Sequence, residues 1–76
     1  MITVTVYKRS DGKPVKGAKV SIHFGGSLTG TYSDSEYTDA YGEASFDNDA
    51  GRSGKIYVNG QEAKSGHISG EEKVYI

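Results

Sequence analysis

The side chains able to do chemistry are few and scattered. His23 and His67 are the only imidazoles. General acid–base catalysis or metal ligation at either one needs carboxylates brought in from elsewhere in the chain. Neither belongs to a ligand-spaced pair such as H-x-x-x-H. The run Asp47-Asn48-Asp49-Ala50-Gly51 places hard oxygen ligands at alternating positions, as a Ca²⁺ loop does. Counted from Asp47, however, the fifth position is Gly51 and the twelfth is Val58, where a calcium loop carries an oxygen donor and a bidentate Glu. An Asx-rich turn is the simpler reading. Ser10 and Ser45 lack a nucleophile-elbow context, there is no glycine-rich phosphate loop, and the absence of Cys removes thiolate chemistry and disulfides. The expectation is therefore no catalytic residue, no metal and no cofactor, hence not an enzyme. A small hydrolase would have to work through His23 or His67.

The elements that would position these side chains are strands. Seventy-six residues make one domain, 1–76, and leave little volume for a cleft. Ile and Val supply 11 residues against a single Leu, an aliphatic set that is almost wholly β-branched. Ile2 to Tyr7 alternates, with Ile2, Val4 and Val6 on one face and Thr3, Thr5 and Tyr7 on the other. Lys8 to Pro14 reads as a turn and loop around Asp11-Gly12. Ala18, Val20, Ile22 and Phe24 form the apolar face of a second strand that ends at Gly25-Gly26, with His23 on its polar face. A weak strand falls between Ser27 and Thr38. A turn near Gly42 enters a strand with Ala44 and Phe46 inward, and Asp47 to Gly54 is a polar loop. Lys55 to Val58 is a strand, Asn59-Gly60 a turn, and a weak strand lies around His67-Ile68. The chain closes on Lys73 to Ile76, with Val74 and Ile76 inward. Seven short strands with turn signals between them predict an all-β, largely antiparallel sandwich. Its expected core is Val4, Val6, Ala18, Val20, Ile22, Phe46, Ile56, Val58 and Val74.

Two segments carry a family resemblance. Asp11 to Ile22, written D-G-x-P-V-x-G-A-x-V-x-I, resembles the opening of carboxypeptidase regulatory-like domains, and Thr38 to Phe46 is similar to their T-D-x-x-G-x-x-x-F signature. Gly54 to Val58 resembles the strand that follows. The resemblance implies a prealbumin-like (transthyretin-like) sandwich that serves as an accessory, structural or adhesive module without catalysis. Cna B-like relatives open in the same way and join a first-strand Lys to an Asn or Asp. Here Thr5 stands at the lysine's place and Lys73 to Ile76 offers no Asn or Asp, so no such crosslink is expected. Hydroxyisourate hydrolases of the transthyretin-like group end in Tyr-Arg-Gly-Ser, whereas this chain has Val74-Tyr75-Ile76. Starch-binding relatives stack sugars on Trp, and this chain has none.

Charge and aromatic placement bear on partners. Residues 1–23 carry a net charge of +4, residues 32–50 carry −6 and the rest +1. This polarity can steer a partner or favour head-to-tail contact, or it can be nothing more than solvated loops. The basic residues sit on loops and the pI is near 6.0, which argues against nucleic acid. No apolar stretch is long enough for a membrane span or a signal core, and the compartment stays open. If Val6, Val58 and Val74 point inward, Tyr7, Tyr57 and Tyr75 point outward. Outward tyrosines either form an interface or pair across strands on a solvated face. The sequence thus predicts partner-binding residues Tyr7, Tyr75 and Tyr57, with Tyr7 and Tyr75 side by side on the first and last strands. A protein partner and weak self-association are expected of a structural or interaction module. The alternative is a carbohydrate- or small-ligand-binding module that uses its exposed tyrosines.

Overall fold

The computed structural model describes residues 1–24, 32–47 and 52–76, with backbone alone at 32–34 and 52. Seven strands follow one another: β1 Ile2–Tyr7, β2 Lys19–Phe24, β3 Tyr32–Tyr37, β4 Glu43–Phe46, β5 Arg52–Val58, β6 Gln61–Ile68 and β7 Glu71–Tyr75. They form a three-stranded sheet in the order β4-β1-β7 and a four-stranded sheet in the order β3-β2-β5-β6. Four of the five strand pairings are antiparallel. The exception joins the first strand to the last, β1 and β7, in parallel. The all-β, seven-strand, largely antiparallel arrangement read from the sequence is the one observed. The turn at Gly25-Gly26, the start of the weak strand at Ser27 and the Asn48 to Gly51 part of the calcium-like run lie outside the described residues.

The two sheets enclose one apolar cluster. Every residue of the expected core is buried, and Ile2, Phe24, Ala44 and Ile68 join it. Both phenylalanines are interior, Phe24 on β2 and Phe46 on β4. Strand alternation does most of this work: β1 buries residues 2, 4 and 6, and β2 buries 20, 22 and 24. Three expectations need correction. Ile76 is 43% exposed, because it lies just past the end of β7, and the inward residues of that strand are Glu72 and Val74. The loop drawn from Asp47 to Gly54 is too long, since β5 begins at Arg52. The weak strand around His67-Ile68 is in fact the longest of the seven, eight residues paired to β5 and shifted by one bulge between Ile56 and Tyr57. Its exposed polar sequence hides that strand, because β6 lies at a sheet edge and buries only Ile68 fully.

The two motif segments are tied to each other. Thr38, itself buried, donates from Oγ1 to the Val15 carbonyl at 2.6 Å and accepts from the Ala18 amide at 2.8 Å. Its backbone adds bonds to Gly17 and Ala18. One residue on, Asp39 Oδ1 accepts from the amides of Tyr41 and Glu43 at 2.9 and 3.0 Å, which holds the turn into β4. Gly42 closes that turn at φ +78°, where a Cβ would come within 2.7 Å of the Val6 carbonyl and 2.9 Å of Pro14. A side chain has no room there. The upper end of β1 is thus flanked by Pro14-Val15 where β4 runs out, through a bridge from Tyr7 to Pro14 and a 2.9 Å bond from the Val15 amide to the Val6 carbonyl.

Candidate binding sites

Alternation places the odd residues of β1 and β7 on the outer face of the three-stranded sheet. Parallel register sets Thr3 beside Glu71, Thr5 beside Lys73 and Tyr7 beside Tyr75. The last rung is an aromatic stack, with ring centroids 5.4 Å apart and planes inclined by 27°. Tyr7 is half-buried and Tyr75 is 50% exposed. A shallow hollow lined by Lys8, Arg9, Ser10 and Ile76 adjoins the pair and gives it cationic neighbours.

Beyond Tyr75 the sheet stops. β7 has β1 on one side, and no described strand pairs with the other. The Gly70 carbonyl accepts from Thr3, the Ile76 amide donates to Tyr7, and the Ile76 carbonyl accepts from Arg9. Even-numbered residues therefore turn their amides and carbonyls to β1, and odd-numbered ones turn theirs outward. Ser69 Oγ donates to the Glu71 carbonyl at 2.7 Å, so the first outward acceptor already has a partner. Lys73 and Tyr75 carry the open part of the edge.

Glu72 guards the same strand from within. It is buried to 7% exposure and accepts at Oε2 from the Ser69 amide (2.7 Å) and hydroxyl (2.8 Å), and at Oε1 from Lys64 of β6. Burial acts to raise its pKa, but the bonds from Lys64 and Ser69 and the ammonium charge outweigh it and hold the carboxyl below the ordinary glutamate value. The group clasps the edge of one sheet to the edge of the other.

Tyr57, the third predicted residue, lies on the other sheet. It sits on β5 with Ser21 of β2 on one side and Glu62 of β6 on the other. Its ring meets His23 diagonally, at 4.8 Å between centroids and 60° between planes. His23 therefore lies on the polar face of β2, as its phase predicts, but against an aromatic ring. Beside the two rings opens a depression of about 430 Å³ lined by His23, Ser53, Gly54, Lys55, Tyr57, Ser65 and Gly66. Gly54 faces Gly66 in the register. A Cβ on Gly54 would stand 2.6 Å from the His23 carbonyl and 3.0 Å from Ile68, so this rung holds the strands close without a side chain. Lys55 pairs with Glu62 at 3.5 Å, both about half exposed.

Thus Tyr7 and Tyr75 come together, and Tyr57 stands apart on the opposite face with His23. His67 is exposed on β6 opposite Ser53. Among the described residues, no group of three or more His, Asp or Glu is set to hold a metal ion, and no helix is long and apolar enough to cross a membrane. Sequence reasoning overlooked Glu72 and the hollow beside Tyr57. Glu72 shares the inward phase of Val74, a signal open to reading, whereas the Gly54–Gly66 rung depends on a bulged register that no local pattern announces. The chain matches no protein-family profile, no curated protein and no solved structure.

Proposed function

We propose that the protein is a non-catalytic interaction or structural module, a prealbumin-like sandwich of the carboxypeptidase regulatory-like kind, that docks protein through the Tyr7–Tyr75 face. The observation that carries this reading is the stacked tyrosine rung at the end of a strand with an open outer edge. An extended partner segment adds along Lys73 to Tyr75 through backbone bonds, and an apolar residue of that segment covers the rings. Lys8 and Arg9 beside the rings, with Lys73, Glu43 and Glu71 on the same face, give the patch mixed charge and favour a partner segment that carries charges of both signs. Acidic side chains on the other sheet, such as Glu36 of β3, can meet Lys8 and Arg9 of a second copy, which supports weak head-to-tail self-association. Two aromatics and one short edge fall well below the ~1,000 Å² of a stable interface, so the contact is transient.

Sedimentation and amide NMR over a concentration series test this. Wild type is expected to show concentration-dependent shifts at Lys73 and Tyr75 that vanish in the Tyr7→Ser/Tyr75→Ser variant. Identical monomers in both, with unmoved signals, make the stack mere cross-strand packing and remove the proposal.

A further inference from the structure

The hollow on the four-stranded sheet is independent of the tyrosine stack and has a different chemistry. We infer that the depression between His23 and Tyr57 is a binding site for an uncharged pyranose ring, a mono- or disaccharide. Its volume, about 430 Å³, falls within the ~300–1,000 Å³ of small-molecule sites. The two rings meet at 60°, so one offers a flat wall for the C–H face of a sugar while the other closes a corner. Around that corner stand groups that both donate and accept hydrogen bonds: the Ser53 and Ser65 hydroxyls, the Tyr57 hydroxyl and the His23 imidazole, with Lys55 as a further donor. Alternating hydroxyl, phenol and imidazole groups suit a ring that carries several hydroxyls. Most of the exposed lining is apolar, which suits the C–H face of a sugar as the few polar groups suit its hydroxyls.

Charge decides against an acidic ligand. Among the described residues, Lys55 is the only lining side chain of fixed charge, and Glu62 offsets it at 3.5 Å. An anion entering here would gain the ammonium and meet the carboxylate. Gly54 contributes only backbone to the hollow: a Cβ there would turn to the core side, 2.6 Å from the His23 carbonyl and 3.0 and 3.3 Å from Ile68 and Phe24, so a side chain would force apart the strands that carry His23 and Tyr57. Among the described residues, the lining holds no pair of carboxylates of the kind that cleaves a glycosidic bond, and the proposal is one of binding.

The test is an amide NMR titration of the protein with maltose, cellobiose and chitobiose, with glycerol and glucuronate as comparisons. At least one neutral disaccharide is expected to give saturable shifts at Gly54, Lys55, Ser65 and Gly66, with glycerol giving none and glucuronate binding no more tightly. Tyr57→Ala should weaken binding roughly ten-fold through loss of the ring wall, and Tyr57→Phe should keep most of it. Should Tyr57→Ala lose the dispersed spectrum of the folded chain, His23→Ala carries the same expectation from the other wall. Tyr7→Ser/Tyr75→Ser should leave the titration unchanged, which separates this site from the docking face. The inference is overturned by any of three results: no saturable shift with any neutral disaccharide, tighter binding of glucuronate, or titrations of Tyr57→Ala and His23→Ala that match wild type.

Discussion

On the three-stranded sheet two tyrosines stand opposite each other on adjacent strands, and their rings stack at 27°; on the four-stranded sheet a tyrosine and a histidine meet diagonally at 60°. The difference follows from register. A directly opposed pair lies flat and leaves no space between the rings, so it presents a ledge at the sheet edge. A diagonal pair skips a rung, and a hollow remains beside it over the backbone of Gly54 and Gly66. The same residue type, spaced differently, thus gives a surface for an extended chain on one side of the molecule and a recess for a ring on the other. Both faces stand on one core, so substitutions sort by whether they strike what the faces share or what separates them.

The largest effect comes from the shared part. Phe24→Ala and Phe46→Ala each remove a fully buried ring, one from each sheet, and each should cost about 3–5 kcal/mol, against ~4–11 kcal/mol expected for a chain of this length. Denaturant titration should show comparable losses. A Phe46→Ala protein with unchanged melting would take that ring out of the core and break the claim that both faces rest on it.

Gly54→Ala strikes the strands beneath the hollow and the core side chains of Ile68 and Phe24 under them, away from the Tyr7–Tyr75 face. Its Cβ must displace the His23 carbonyl, a backbone atom, and overpacking of this kind costs about 1–3 kcal/mol. The His23 ring signals should shift while those of Tyr7 and Tyr75 stay in place. An equal shift at both pairs would show that the faces are mechanically coupled.

Glu72→Gln strikes the edge clasp, with a loss of about 1–2 kcal/mol as charge-assisted bonds become neutral ones. The pH dependence fixes its sign. A carboxyl whose folded pKa lies below its unfolded value stabilises the fold fully above the unfolded value, near ~4.3 for glutamate, and loses that contribution as pH falls through the folded value. Wild type should therefore lose stability on acidification below about pH 5 more steeply than Glu72→Gln. Parallel acid curves would mean that the clasp contributes nothing. Smallest of all, Tyr7→Ser/Tyr75→Ser should change stability by less than about 1–2 kcal/mol while abolishing the concentration dependence.

Period-2 alternation made the core legible, because β1, β2 and β5 each bury one face and a slip of one residue would turn valines to water. It also placed Tyr7 next to Tyr75, once the first and last strands were taken as neighbours. Where only one residue of a strand is fully buried, as in β6, alternation has nothing to mark. The hollow went unread for a related reason: His23, Lys55 and Ser65 lie on three strands, and they meet only through pairings across 32 and 10 positions of sequence. Thr38 opens the Thr38 to Phe46 segment. What it does there, bonding Val15 and Ala18, needs the tertiary path to be known.

The parallel pairing of β1 with β7 also bears on how the molecule responds to force. Because the two strands run the same way, Ile2 and Tyr75 lie at opposite ends of the ladder. A pull applied across residues 1 and 76 therefore runs along the strands and loads the rungs from Thr3–Glu71 to Tyr7–Tyr75 together, in shear, instead of opening them one after another. Resistance to such a pull is set by the rate of unfolding and not by equilibrium stability. Single-molecule extension from those two residues should meet a higher rupture force than extension from Ser53 and His67, which face each other near the open end of the antiparallel β5–β6 pair and are unzipped rung by rung, and equal forces would show that the ladder does not bear the load.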